Sequence, residues 1–276
     1  MGDEMTGTAD WFPEVIQGSR CVAPVFIALF SPFPAYCLLP AGGTCIYAGL
    51  KKSDAFRPMA WVILAFGWFM AVYFANGYFG KNLRPMLGYT PGESSPLLSA
   101  ASWLVWGLLY SWVPFVTLRC LDDSDSGRLI LVGAALLTAT FAADAMMQWL
   151  KQVGSRLRYK YLMTLEDPAS EFRAWWQMIP NLAGNNDSYQ SWPSGHMAIA
   201  GVLFALPVLT DCMKNRSSRQ NMTAFMLVCL FMVLCGYNRI HMASHFLSDV
   251  CFGVLNSGLL TYGFSRLFCG QSGKAA

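Results

Sequence analysis

Three short segments of this 276-residue chain hold the side chains that can move protons or grip an anion. Only three histidines are present, and all of them lie in these segments. His196 closes the run Ser-Trp-Pro-Ser-Gly-His at 191–196, and His245 stands in Asn-Arg-Ile-His-Met-Ala-Ser-His-Phe-Leu-Ser-Asp at 238–249, together with Arg239 and Asp249. Lys151 and Arg158 bracket the third, Lys-Gln-Val-Gly-Ser-Arg-Leu-Arg-Tyr at 151–159. A helix with Pro193 in its first turn presents the backbone N–H groups of Ser194, Gly195 and His196 with no intrahelical acceptor, and such a terminus binds anions. Glycine allows close approach, and the serine hydroxyl is a further donor. The same residues also make an ordinary helix start. His245 and Asp249 are spaced to stack on one helical face, so that the carboxylate holds an imidazole N–H and leaves the other ring nitrogen as nucleophile or base. A satisfied helix-terminal contact has the same spacing, although an aspartate so near hydrocarbon is costly without a partner. On a continued helix Lys151 and Arg158 share a face two turns apart, and taken alone they are equally a basic collar at a membrane exit. Arg239 cannot share the His245 face of one straight helix. It is expected from the end of the preceding span or from a turn.

The elements that carry these residues are set by hydropathy. Apolar residues make up 55% of the chain and charged ones 13%. The apolar residues cluster into runs near the ~20 residues a helix needs to cross hydrocarbon, which defines an integral membrane protein. Six spans are expected, over 59–79, 97–118, 129–150, 196–210, 222–237 and 246–268, the fourth and fifth short. The expected class is an all-α, polytopic transmembrane helical bundle. A further apolar stretch, 21–50, contains Pro24, Pro32, Pro34 and Pro40 and reads as a re-entrant, interfacial or broken segment or as a seventh span. Residues 1–58 form an N-terminal segment and 59–276 a single membrane domain. Two spans separate the long loop 151–195 from 238–249, so both emerge on one membrane face. Basic residues outside the three motifs favour a non-cytoplasmic location for that face, in a multi-pass protein of the cell membrane.

Composition also excludes. The acidic residues Asp3, Glu4, Asp10 and Glu14 precede the first basic residue, Arg20, which is the wrong polarity for a secretory signal. Nine cysteines, mostly within or at the ends of apolar runs, argue against a disulfide framework. The net charge of +3 is scattered over short loops with no basic stripe, so no nucleic-acid partner is expected. Nothing in the sequence indicates an oligomeric state.

The ordered trio of motifs resembles the type 2 phosphatidic acid phosphatase superfamily, in its membrane-bound lipid phosphatase branch. That family's pattern is Lys-x6-Arg-Pro, then Pro-Ser-Gly-His, then Ser-Arg-x5-His-x3-Asp. Lys151 to Arg158, residues 193–196, and Arg239 through His245 to Asp249 match it in order and spacing, while Tyr159 stands for the proline and Asn238 for the serine. The resemblance implies that His245 attacks phosphorus with Asp249 orienting it, and that His196 protonates the leaving alkoxide and then activates water. It implies that Lys151, Arg158, Arg239, Ser194 and Gly195 hold the phosphoryl oxygens, with no cofactor and no metal, since three fixed cations take the metal's place. The implied partner is a lipid phosphate or diphosphate in the membrane, a class that includes phosphatidate, phosphatidylglycerol phosphate, polyprenyl diphosphates and lipid A phosphate. Alternatives are a lipid phosphotransferase using the same site and a non-enzymatic anion-binding transporter.

Other residues attract less chemistry. Lys81 and Arg84 in Gly-Lys-Asn-Leu-Arg-Pro are the runner-up for the Lys151 and Arg158 role. Asp144 is expected to pair within the bundle or to orient a basic residue. His241 is a surface or interface residue. The Asn-x-Ser/Thr triplets at Asn186, Asn215 and Asn221 are of a kind frequent by chance. The aromatic run Phe-Arg-Ala-Trp-Trp-Gln at 172–177 is either an interfacial anchor or a cover over the site.

Overall fold

The computed structural model describes residues 32–82, 96–122, 124–179, 187–214 and 217–270. The acidic N-terminal residues, Pro24, the Lys81 side chain, Arg84, Asn186 and Asn215 fall outside the described residues. The fold is all-α: α1 Pro32–Tyr36, α2 Leu38–Leu50, α3 Arg57–Asn82, α4 Pro96–Cys120, α5 Ser126–Gly154, α6 Tyr159–Leu162, α7 Pro168–Glu171, α8 Gly195–Gly201, α9 Leu206–Thr210, α10 Ser218–His241 and α11 Leu247–Cys269.

Among the described residues, four segments are long and apolar enough to cross a membrane: α3, α4, α10, and α5 with its continuation to Leu162. The expected count of six is therefore not met on these terms. The fourth expected span, Gly195–Thr210, is short and comes in three pieces, with a 3-10 turn at Val202–Ala205 between α8 and α9. Pro207, in the first turn of α9, has no N–H for the helix ladder, so the chain tightens just before it. The 23-residue α11 has the length, but Asp249, Asn256, Ser257 and Arg266 dilute its hydropathy.

From Pro32 onward the proline-interrupted stretch is a broken helix buried inside the bundle. Pro32 and Pro34 open α1 and Pro40 opens α2, where the missing N–H has no acceptor to lose. Leu38 through Ala41, Cys45 and Ala48 are all buried in the core, and α2 lies against α3, α4 and α5. The approach is close because small residues face each other, the means by which helices associate where lipid removes the hydrophobic drive. A Cβ on Gly133 would come within 2.5 Å of Gly42 O and 2.6 Å of Ile46 Cγ1. The buried hydroxyls of Thr44 and Thr140 bond back to Pro40 O at 2.6 Å and Leu136 O at 2.8 Å, which satisfies them without water. Gly133→Leu is therefore expected to lower the thermal midpoint in detergent, with overpacking costing about 1–3 kcal/mol. Gly77→Leu, where nothing lies within 4 Å, serves as the control that leaves it unchanged.

At one end of the bundle the α4–α5 and α9–α10 connections are laced together. Leu121 and Met213 form an antiparallel bridge, with Asp122 N–H donating to Cys212 O at 2.8 Å and Lys214 N–H to Cys120 O at 2.9 Å. Asn221 completes this end by donating to Asp211 and accepting from Thr210, which gives it a structural role. The candidate site forms at the opposite end of α5.

Candidate active site

The site is built where α5 stops, α8 starts and α10 hands over to α11. Gly154 ends α5 against the Trp192 indole, and Ser155 turns the chain with a φ of 28°. Residues 155–158 then run without helix, and Arg158 caps α6. Lys151 and Arg158 thus do not share a helical face as expected. The break swings Arg158 inward, where it is buried. Main-chain bonds from Arg158 N–H to Ser188 O (2.8 Å) and from Ser191 N–H to Arg156 O (3.0 Å) tie this stretch to the segment leading into α8.

The second correction concerns His245 and Asp249. His245 lies ahead of α11, because the Asp249 carboxylate takes the Phe246 N–H at 2.9 Å and so starts the helix there. Asp249 Oδ2 is 3.9 Å from His245 Nδ1, too far for a hydrogen bond. The partner of Nδ1 is the Ser191 carbonyl at 2.7 Å, while the Ser191 hydroxyl donates to Asp249 Oδ2 at 2.6 Å. Since a carbonyl only accepts, Nδ1 carries the proton and Nε2 keeps its lone pair. Arg239 arrives from the last turn of α10, as expected, and is buried.

The charges converge on this imidazole. Burial first, then Arg239, Arg158, Lys151 and His196 hold the His245 pKa well below the usual 6.5, so the ring is neutral at neutral pH. Asp249 does not offset that field alone, because Arg156 engages it: Arg156 Nη1 lies 2.7 Å from Asp249 Oδ1 and 2.8 Å from Ser248 Oγ, with its guanidinium 3.9 Å over the Phe246 ring. Lys151 Nζ lies 3.3 Å from where a Cβ on Gly195 would sit, which places the ammonium at the start of α8. Asp144, two turns back along α5, acts electrostatically on Lys151.

Pro193 sits one position ahead of the expected first turn, because Ser194 is the N-cap of α8. The Ser194 N–H donates to Asp249 O at 2.9 Å, which removes it from the set of open amides. Its hydroxyl is fully buried, does not cap the helix, and has no hydrogen-bond partner among the described residues. An ordinary capping serine would use that oxygen. His196 faces the Tyr78 ring edge-on at 5.2 Å. His241 stacks on Tyr237 in the last turn of α10.

Arg156 and Ser191 are the residues that sequence reasoning passed over. The signal for Arg156 was available, since a buried Asp249 demanded a cationic partner and Arg156 stands between the two cations already singled out. No spacing rule pointed to Ser191, whose carbonyl acts from a loop. Tyr159 opens α6, a position where proline is tolerated, and its ring meets Phe246 at 5.6 Å, so the departure from the proline leaves the turn intact.

An α-helical membrane bundle with a buried site of histidines and cations at one end is the class that fold and site define. Residues 132–270, half of the chain, match the model of the PAP2 superfamily, and the chain belongs to that superfamily. All eight motif residues lie within the match, and α1 to α4 lie before it. No curated protein and no solved structure matches the chain. A PAP2 phosphatase domain carried on apolar helices fits a membrane phosphatase.

Proposed function

We propose that this protein hydrolyses a lipid phosphate or diphosphate monoester through a phosphohistidine, without a metal, on the non-cytoplasmic face of the cell membrane. The observation that carries the reading is the Ser194 hydroxyl, buried at a helix start beside Lys151 and without a hydrogen-bond partner among the described residues. A phosphoryl oxygen is the acceptor such a donor lacks. In the first step His245 Nε2 attacks phosphorus, the P–N bond forms, and the P–O bond to the lipid breaks as His196 gives its proton to the leaving oxygen. The phosphorylated ring is cationic, and the Asp249 carboxylate at 3.9 Å stabilises it. In the second step His196 takes a proton from water, whose oxygen attacks phosphorus; the P–O bond forms as the P–N bond breaks, which returns the lone pair to His245 Nε2 and releases phosphate. Lys151, Arg158, Arg239 and the Ser194 and Gly195 donors neutralise the equatorial oxygens throughout.

Phosphate release from a panel of lipid phosphates, measured on purified protein in detergent with EDTA present, tests the reading. His196→Ala is expected to lose about 100-fold or more in kcat, the usual range for removal of a general acid. Activity abolished by EDTA alone overturns the metal-free mechanism, and appearance of a phosphorylated lipid alcohol assigns transfer in place of hydrolysis. The pH profile provides a second check. Because the His245 pKa is depressed, the nucleophile stays neutral as pH falls through 6.5. The acid limb of kcat/KM is therefore expected below pH 6.5, after correction for the substrate's own phosphate ionisation near pH ~6.

A further inference from the structure

The loop between α6 and α8 exposes more apolar surface than a water-facing loop carries. Met163, Leu165, Phe172, Trp176 and Met178 are all exposed, Trp176 to 66%. Apolar exposure concentrated in one short loop points to a protein or membrane contact. Two ring contacts fix the height of the loop on the bundle. Trp175 packs on Phe252 with centroids 4.5 Å apart, and Phe172 meets Phe246 at 5.6 Å. Phe252 is in the second turn of α11, about 8 Å below its start at a rise of ~1.5 Å per residue. Beside it Leu247, Cys251, Leu255, Leu259 and Tyr262 make an exposed stripe down α11, the face a membrane helix turns to lipid. The loop rings are level with the top of that stripe, the depth at which tryptophan concentrates in membrane proteins.

We propose that residues 163–178 are an interfacial anchor seated in the headgroup layer of the bilayer on the active face. This inference rests on the reading of the chain as a membrane lipid phosphatase. The anchor holds by apolar burial: Glu166, Asp167 and Glu171 outnumber Arg173, so the segment has no charge attraction to anionic lipid. Phe172 also lies 5.4 Å from the Arg156 guanidinium that holds Asp249, so the seated loop is continuous with the support of the site. Seating keeps the mouth of the site at the level where lipid headgroups arrive by lateral diffusion.

The test uses the full chain in phosphatidylcholine nanodiscs. Tryptophan emission of wild type minus that of Trp176→Phe is expected to be quenched by lipids brominated near the headgroup, more than by lipids brominated near the chain end, equally at low and high salt. Quenching of that component by aqueous iodide alone overturns the anchor, and quenching that disappears at high salt overturns its apolar mode. In the Trp176→Gln, Met178→Gln double variant, KM for a long-chain phosphatidate is expected to rise about five-fold or more, equivalent to ~1 kcal/mol. kcat/KM for a water-soluble phosphate monoester stays within about two-fold of wild type, since its encounter with the site does not depend on lateral delivery. A parallel change for both substrates overturns the proposal. If wild-type protein hydrolyses neither, the phosphatase reading fails while the quenching result still decides the anchor.

Discussion

Phosphate release by His245→Ala is expected to fall at least about 10⁴-fold, the scale seen when a covalent nucleophile is removed from a site that otherwise stays assembled. The loss follows from the geometry around the ring. Nδ1 is engaged by the Ser191 carbonyl, so the ring's lone pair is on Nε2 and the variant removes it. The comparison that gives the measurement its meaning is His241→Ala, at a histidine four residues earlier that ends α10 and stacks on Tyr237. It is expected to retain wild-type activity. Trapping in alkali, where phosphohistidine survives, is expected to label wild type and His241→Ala and to leave His245→Ala unlabelled. Activity of His245→Ala within about ten-fold of wild type removes His245 from the nucleophile's role, because a neutral substitution at a true nucleophile does not leave that much.

Arg156→Ala is expected to be the most destabilising single change at the site, costing about 3–5 kcal/mol, since it leaves the Asp249 carboxylate buried without its cation. The guanidinium does three things at once: it pairs with Asp249, donates to the Ser248 hydroxyl oxygen, and lies over Phe246. Lysine reproduces only the charge, so Arg156→Lys is expected to recover part of the loss. The decisive arm is the double variant Arg156→Ala, Asp249→Asn. Its thermal midpoint is expected to rise above that of Arg156→Ala, because the orphaned charge is gone, while its phosphate release stays low. A double variant no more stable than Arg156→Ala shows that packing on Phe246, and not the ion pair, holds this corner together.

The class of fold was legible because a bilayer permits few spanning structures and a run of apolar residues declares one of them. The motif trio was legible because chemistry repeats residue types at fixed spacing. What spacing could not convey was where helices end. Lys151 and Arg158 read as two turns of one helix, but Gly154 against Trp192 and the turn at Ser155 break it between them. His245 and Asp249 read as helical neighbours, but the carboxylate itself starts the helix after His245. The fourth span read as one helix, but Pro207 divides it. In each case a tertiary contact or a missing N–H overrode local periodicity. The same limit hid Ser191, whose contribution is a backbone carbonyl and so leaves no trace in side-chain type.

One main-chain bond, Ser194 N–H to Asp249 O, joins the start of α8 to the first turn of α11. Gly253, one turn further on, presses against the same start, where a Cβ would lie 2.6 Å from Ser194 O. The spacing between His196, in the first turn of α8, and His245, just ahead of α11, is thereby written into the backbone, like the fixed gap of a caliper. In the proposed mechanism a lipid must bring its phosphorus to that gap. On that mechanism selection among lipids falls to whatever governs delivery, and the chemistry at phosphorus is the same for every headgroup small enough to enter.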